Sequence, residues 1–280
     1  MKKNWLLGAV VLVLLGGVPA LAQVPLVTPP RLDAEETDRL ARQLAQQGVL
    51  LVRANRYEEA ENALELAVQL SPQLAELYAV LGGVYLGMDK APQAVTAFQK
   101  GLALTPQESR LHFYLGQAYL RSKSYFAAID ALERGVALDG TSAGGYFDLG
   151  NAYYLAQQTT KALTSYEQAV ALKADYWEAI NNIGLLRYEL GDIPTAIAQW
   201  QKASSLDDTA PEPRLALGVA LYAEGDRTQG LTLARQALTL NKTYGDPSYL
   251  KEQLWGDKLV QAAQQVFALP EIQVILKAKS

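Results

Sequence analysis

Large residues recur along this chain at intervals of 34, in register with a set of glycines. The glycines are Gly48, Gly82, Gly116, Gly150, Gly184 and Gly218. Large residues stand four positions before them (Leu44, Tyr78, His112, Tyr146 and Ile180) and three positions after them (Leu51, Tyr85, Tyr119 and Tyr153). An apolar residue directly precedes five of the six glycines. A pattern that stays in phase over six periods predicts an internal repeat.

Two further positions in each period carry small residues. They are Ala60, Ala94, Ala128, Ala162, Ala196 and Gly230, followed seven residues later by Ala67, Gly101, Gly135, Ala169, Ala203 and Ala237. A glycine inside a helix costs about 1 kcal/mol relative to alanine, so six of them need a compensating role. Close approach of a neighbouring helix supplies one, because a larger side chain there would overpack at about 1–3 kcal/mol. The pattern therefore predicts two helices per unit and units that stack on one another.

These units resemble the tetratricopeptide repeat (TPR), best in the stretch from Gly145 to Tyr154. Large residues in the second helices fit the same motif: Leu64, Phe98, Leu132, Tyr166 and Trp200. Arg187, Arg214 and Ala234 depart from it. The resemblance covers about residues 41–244 and implies an all-α, right-handed TPR α-solenoid of about six helix-turn-helix repeats. It also implies that a partner protein or peptide binds in a concave groove.

The repeat sets the expected domain organisation. We expect a Pro-rich spacer over residues 23–32, the TPR array over 33–244, and a C-terminal capping helix and tail over 245–280. The units lie near 41–74, 75–108, 109–142, 143–176, 177–210 and 211–244. Asp33 can cap the first helix, with Glu35 and Glu36 in its favourable first turn.

Residues 1–22 are typical of a signal peptide or a membrane anchor. Lys2 and Lys3 precede an uncharged stretch, and Ala20-Leu21-Ala22 fits the small-x-small cleavage rule. The alternative is an uncleaved anchor at the short end of what spans a bilayer, which would associate the protein with a membrane. Both interpretations place the array on the far side of the membrane, in a periplasm or thylakoid lumen.

The region after the repeats is amphipathic, with Leu250, Leu254 and Trp255 followed by further apolar residues up to Phe267. It predicts a helix that caps unit six; the alternative is a docking helix for a partner. The stretch from Tyr249 to Lys258 looks like tails of cyanobacterial TPR proteins. That similarity implies an assembly factor for photosynthetic membrane complexes, of the type that interacts with protochlorophyllide oxidoreductase. A cell-envelope adaptor for outer-membrane, pilus or peptidoglycan machinery is the alternative.

Composition narrows the function classes. The chain has 280 residues, half of them hydrophobic, and a net charge of −4 without a basic run, which disfavours nucleic acid as a partner. It contains no cysteine, and its one histidine, His112, falls at a core position of unit three. We therefore expect no catalytic site, no metal and no cofactor. The sequence carries no signal of an oligomeric state.

The repeat offsets place a candidate partner-binding groove on the first helices. Its residues are Arg110, Phe113, Tyr114, Gln117, Phe147, Asn151, Tyr154, Asn181, Asn182, Leu185, Tyr188 and Tyr222. Aromatic rings suit the side chains of an extended peptide, and Asn151 and Asn182 can bond its backbone. Chaperone-docking TPRs grip a C-terminal carboxylate with basic residues, but here those positions hold Phe147, Glu212 and Ala216. We therefore expect no preference for a free C-terminal carboxylate.

Overall fold

A computed structural model describes residues 33–278, which include all six repeat units. The predicted leader and Pro-rich spacer lie outside the described residues. Six helix pairs follow one another: α1 (Ala34–Arg53) with α2 (Tyr57–Leu70), α3 (Ala75–Gly87) with α4 (Ala91–Leu104), α5 (Ser109–Arg121) with α6 (Tyr125–Leu138), α7 (Ala143–Leu155) with α8 (Thr159–Leu172), α9 (Trp177–Glu189) with α10 (Ile193–Leu206), and α11 (Pro211–Ala223) with α12 (Arg227–Leu240). The predicted all-α TPR solenoid is confirmed.

Local sequence signals start and separate these helices. The Asp33 side chain accepts a hydrogen bond of 2.7 Å from the Glu36 N–H and so caps α1 as predicted. Within every pair, the turn has one residue at positive φ: Asn55, Asp89, Lys123, Gln157, Gly191 and Gly225. A residue with a side chain costs roughly 1 kcal/mol or more in this left-handed conformation, and glycine avoids that cost. Two of the six turns have glycine at this position.

The repeat glycines lie where the two helices of a unit touch. A Cβ on Gly150 would approach the Tyr166 ring to 2.5 Å, and one on Gly184 would approach Trp200 to 2.5 Å. The same relation, a large side chain 16 residues later, joins Gly48 with Leu64, Gly82 with Phe98 and Gly116 with Leu132. All five large side chains are fully buried, apart from 1% exposure of Tyr166. The predicted reason for the glycines is confirmed.

In unit six the repeat glycine faces the backbone of the partner helix instead of a large side chain. Ala234 stands where the other units carry a large residue, and a Cβ on Gly218 would meet the Ala234 backbone nitrogen at 2.8 Å. A Cβ on Gly230 would meet the Tyr222 backbone nitrogen at 2.5 Å. Ala234 departs from the motif in sequence, but it lets α11 and α12 pack backbone against backbone.

Units stack because the second helix of each one packs against the first helix of the next. A 3₁₀ turn (Lys242–Gly245) leads from unit six to α13 (Pro247–Glu252), α14 (Asp257–Phe267) and α15 (Pro270–Lys277). This segment packs on unit six, as a cap would, but as three helices rather than one helix and a tail: α15 packs on α12, whereas α14 packs on α11 and α9. Among the helices of residues 33–278, none alone is long and apolar enough to span a membrane, although α14 and α15, bent by 89°, together have the length and composition.

Candidate functional site

The first helices of successive units form one side of the solenoid, called here the inner face. Two grooves run along it. The N-terminal groove lies between α3 and α5 and has a volume of about 1080 Å³. The C-terminal groove runs along α5, α7 and α9 to the segment at 244–254 and has a volume of about 810 Å³. Because Leu86, Gln117 and Arg121 line both grooves, the two adjoin.

The N-terminal groove is apolar at its centre. Gly83 lines it, and a Cβ there would meet nothing within 4 Å. Tyr114 lines the opposite side, 40% exposed and stacked on Phe98 with ring centroids 5.6 Å apart. Arg110 lies at the rim and pairs with Glu108 at 3.1 Å. Paired charges around an open apolar floor suit the side chains of an extended segment.

Aromatic rings form one wall of the C-terminal groove. Phe147 is half-buried and packs against the rings of Tyr166 and Tyr176, with centroids 5.8 Å and 5.1 Å away. Trp177, the first residue of α9, lines the groove beside them. Aromatic side chains bring large contact area at low entropic cost, which is why they are enriched at binding surfaces.

The asparagines of the groove bond to one another. Asn151 Oδ1 accepts hydrogen bonds from the Tyr166 hydroxyl at 2.7 Å and from Asn182 Nδ2 at 3.3 Å. Asn181 Nδ2 donates to Asn182 Oδ1 at 3.2 Å and to Glu212 Oε1 at 3.1 Å. Asn181 Oδ1 is buried and has no hydrogen-bond partner among the residues described. The sequence predicts peptide-backbone contacts for Asn151 and Asn182, and in this structure both are held in a network within the protein.

Two carboxyl groups of this region are shielded from solvent: Glu212 is buried and Asp148 is half-buried. Burial raises the pKa of the Asp148 carboxyl to about 6, against the hydrogen bond of 2.7 Å that Gln117 Nε2 donates to it. Burial also raises the pKa of the Glu212 carboxyl to about 7, against hydrogen bonds from Asn181 and from Trp255 Nε1, the latter 3.1 Å long. Across residues 33–278, no lysine or arginine lies within ion-pair distance of either carboxyl.

The C-terminal segment closes the inner face at units five and six. Leu185 and Tyr188 belong to one buried core cluster with Leu259 and Val266 of α14. The Glu189 carboxylate accepts hydrogen bonds from the backbone N–H groups of residues 258 and 259, at 3.3 Å and 3.0 Å, and so caps the start of α14. The open groove therefore ends at α9.

The predicted groove residues divide into two sets. Six are accessible on the inner face or half-buried beside it: Arg110, Tyr114, Gln117, Phe147, Asn151 and Tyr154. The other six are buried or packed against the core: Phe113, Asn181, Asn182, Leu185, Tyr188 and Tyr222. The Phe113 ring fills the space that the missing side chains of Gly135 and Gly145 leave. The predicted tyrosine stripe of Tyr154, Tyr188 and Tyr222 is thus divided by α14.

Residues outside the predicted set also line the C-terminal groove, among them Trp177, Glu178, Glu252 and Leu254. Repeat offsets place Glu178 on the inner face, whereas Glu252 and Leu254 lie beyond the repeats, where periodicity has no predictive power. Among the residues described, no group of three or more histidine, aspartate or glutamate side chains is arranged to hold a metal ion.

Family models match the array in three places. A TPR repeat model matches residues 150–191 and 184–225, and two tetratricopeptide repeat models match residues 80–143 and 42–74. Together these matches cover more than half of the chain. No curated protein matches it significantly.

Solved structures show the same fold. A MamA fragment from Desulfovibrio magneticus RS-1 is 25% identical with a TM-score of 0.57, covering 62% of this chain and 96% of that one. Pseudomonas aeruginosa PilF is 18% identical with a TM-score of 0.65, covering 78% and 98%. PilW, a type IV pilus biogenesis factor, is 17% identical with a TM-score of 0.65, covering 74% and 95%. At these identities, PilF and PilW show similarity of fold alone.

Proposed function

Because the chain belongs to the tetratricopeptide repeat family, we propose that it is a non-catalytic scaffold that holds a segment of a partner protein in its open groove. The bound segment lies along the first helices of units two to five. One observation carries this proposal: two adjoining grooves lined by α3, α5, α7 and α9, which the chain's own C-terminal segment leaves uncovered.

Gly83 supports a binding role for this groove. It lies in the middle of α3, is exposed, and has no neighbour that a Cβ would meet, so the packing that accounts for Gly82 does not account for it. A helix-interior glycine costs about 1 kcal/mol relative to alanine. In return, the missing side chain leaves space at the floor of the groove. The equivalent position of unit three is occupied by Gln117.

Substitution of a glycine at the floor of the groove tests the proposal. We expect Gly83→Gln to fill the groove and weaken partner binding, while the free energy of unfolding rises slightly because glutamine is a better helix former. Gly144→Gln is the matched control: Gly144 also has open space at its Cβ, but it lines neither groove.

Site-specific crosslinking identifies the partner in the same experiment. A photoreactive phenylalanine replaces Tyr114 in the groove or, as the control, Phe126, which is 70% exposed on α6. We expect a crosslink from position 114 alone, and Gly83→Gln should abolish it. Crosslinks of equal yield from both positions, or insensitivity to Gly83→Gln, would contradict groove binding.

The location and process are part of the proposal. We place the array on the exported side of a membrane, on the strength of the basic start and uncharged stretch of residues 1–22. The tail similarity supports assembly of photosynthetic membrane complexes, with a cell-envelope adaptor as the alternative. Protease protection of the array in intact cells, together with co-fractionation with pigmented membranes or with the outer envelope, separates these outcomes.

A further inference from the structure

The C-terminal groove carries an unbalanced set of charges. Four carboxyl groups line it, those of Asp148, Glu178, Glu212 and Glu252, with Arg121 as the one basic residue of its lining. Arg121 itself faces Asp89, at 4.0 Å. None of the four carboxyl groups forms an ion pair with a lysine or arginine of residues 33–278. A cleft lined by one sign of charge concentrates the opposite charge from solution.

An unpartnered acceptor lies in the same lining. Asn181 is 1% exposed, and its Oδ1 atom receives no hydrogen bond although its Nδ2 donates two. A buried acceptor without a donor has lost its hydrogen bonds to water and gained none in return, so a ligand that donates to it is favoured. The groove thus combines carboxylate oxygens with an amide oxygen that receives no hydrogen bond, and acidic groups outnumber basic ones in its lining.

From these observations we infer that the C-terminal groove receives a lysine or arginine side chain of the partner segment. This inference rests on the proposed function and adds the chemistry of the partner to it. An ammonium or guanidinium group consists of donors only, so it complements an acceptor-rich cleft. Half-buried Glu178 and exposed Glu252 lie where an incoming cation meets the groove first.

The aromatic wall adds a second attraction. Phe147 and Trp177 line the groove with the carboxyl groups, and a cation over an aromatic face is attracted by the ring quadrupole. This arrangement favours an organic cation over a metal ion, because no three acidic side chains of the described residues are grouped for metal ligation. The stem of a lysine or arginine also packs on apolar surface while its head remains polar.

Buried acids of the groove respond to such a cation. Burial raises the pKa of Glu212 to about 7 and that of Asp148 to about 6, so part of each population is protonated near neutral pH. A bound cation favours the ionised form and lowers both values. Binding therefore releases protons near pH 6.5, which calorimetry in buffers of different ionisation enthalpy measures.

Short synthetic peptides test the inference on the array. They share one leucine- and tyrosine-containing background, have acetylated and amidated ends, and carry lysine, arginine, acetyl-lysine or glutamate at one central position. By fluorescence anisotropy, we expect the lysine and arginine peptides to bind about tenfold more tightly than the acetyl-lysine peptide, an effect that salt weakens. A free C-terminal carboxylate should add no affinity.

Charge variants locate the effect. Glu178→Gln combined with Glu252→Gln should reduce binding of the lysine peptide to the level of the acetyl-lysine peptide. Glu58→Gln, which removes one carboxylate from the exposed surface of α2, should leave binding unchanged. Glu178→Lys combined with Glu252→Lys should reverse the preference towards the glutamate peptide. Circular dichroism checks that each variant is folded.

The results of these binding experiments distinguish a failure of the cation preference from a failure of groove binding. Equal binding of the lysine and acetyl-lysine peptides, still abolished by Gly83→Gln, would overturn the cation preference and leave groove binding intact. Peptide binding unaffected by Gly83→Gln would contradict both. Competition by spermidine at the same concentration as the lysine peptide would show that the groove takes a free polyamine, and would overturn the partner side chain as its ligand.

Discussion

At the scale of single residues, the position three after the repeat glycine bonds the preceding unit in units two to five. The Tyr85 hydroxyl donates to Glu65 at 2.9 Å, and Tyr119 accepts from Gln99 at 2.8 Å. Tyr153 bonds Glu133 in the same manner. In unit five Arg187 donates to Glu167 at 2.9 Å. Arg187 departs from the motif in sequence, yet it keeps this bond between units, because its partner 20 residues earlier is an acid.

Gly150 provides a prediction at this scale. Gly150→Ala puts a Cβ at 2.5 Å from the Tyr166 ring, so we expect the free energy of unfolding to fall by about 1–3 kcal/mol in urea. Gly144→Ala is the control, because nothing lies within 4 Å of its Cβ, and it should stabilise α7 by up to about 1 kcal/mol. Equal effects of the two changes would contradict the packing role of Gly150.

The buried carboxyl group of Glu212 makes the stability of the protein depend on pH. Its pKa is raised above the ordinary value of 4.5 to about 7, so the folded state binds the proton more tightly than the unfolded state. Its contribution to stability is complete below about pH 4.5 and is lost as the pH rises through 7, by up to about 3 kcal/mol.

Measured against pH, the difference in unfolding free energy between wild type and Glu212→Gln should follow this loss, with wild type relatively weaker at pH 8 than at pH 5. The difference between wild type and Glu58→Gln should stay flat over that range. A wild type that gains stability relative to Glu212→Gln on going from pH 5 to pH 8 would show that the sign is wrong.

At the scale of elements, the sequence predicts the helix pairs, their turns and the cap at Asp33, because each rests on local signals. It does not predict the course of α14. The apolar residues from Leu259 to Phe267 predict a helix that caps unit six, but they do not predict its contact with α9. That course is selected by Glu189, which caps the helix, and by Glu212, which accepts from Trp255. Neither residue stands out in the repeat pattern.

Glu189→Ala tests this anchoring. Loss of the carboxylate leaves two N–H groups at the start of α14 without their acceptor, which costs about 1–2 kcal/mol. We expect faster amide hydrogen exchange in α14 and around Tyr188, with little change in α3 to α6. Lys251→Ala removes a surface ion pair with Asp257 and serves as the control, since exposed pairs contribute little. Unchanged exchange in α14 would contradict the capping role.

At the scale of the whole molecule, the repeat offsets predict the inner face but not which part of it stays open. They place Leu185 as the equivalent of Asn151, and α14 then packs over Leu185 while Asn151 stays on the groove. The carboxylates of the C-terminal groove combine residues from the array with Glu252 from beyond it. Only the folded chain brings them together.

The position of α14 also bears on mechanics. A solenoid flexes by small rotations between successive units. Since α14 packs on α9 and α11 at once, it ties units five and six together and holds their relative angle. When a ligand binds, bending of the array is then expected mainly between units one to four, while the C-terminal units move as one rigid body.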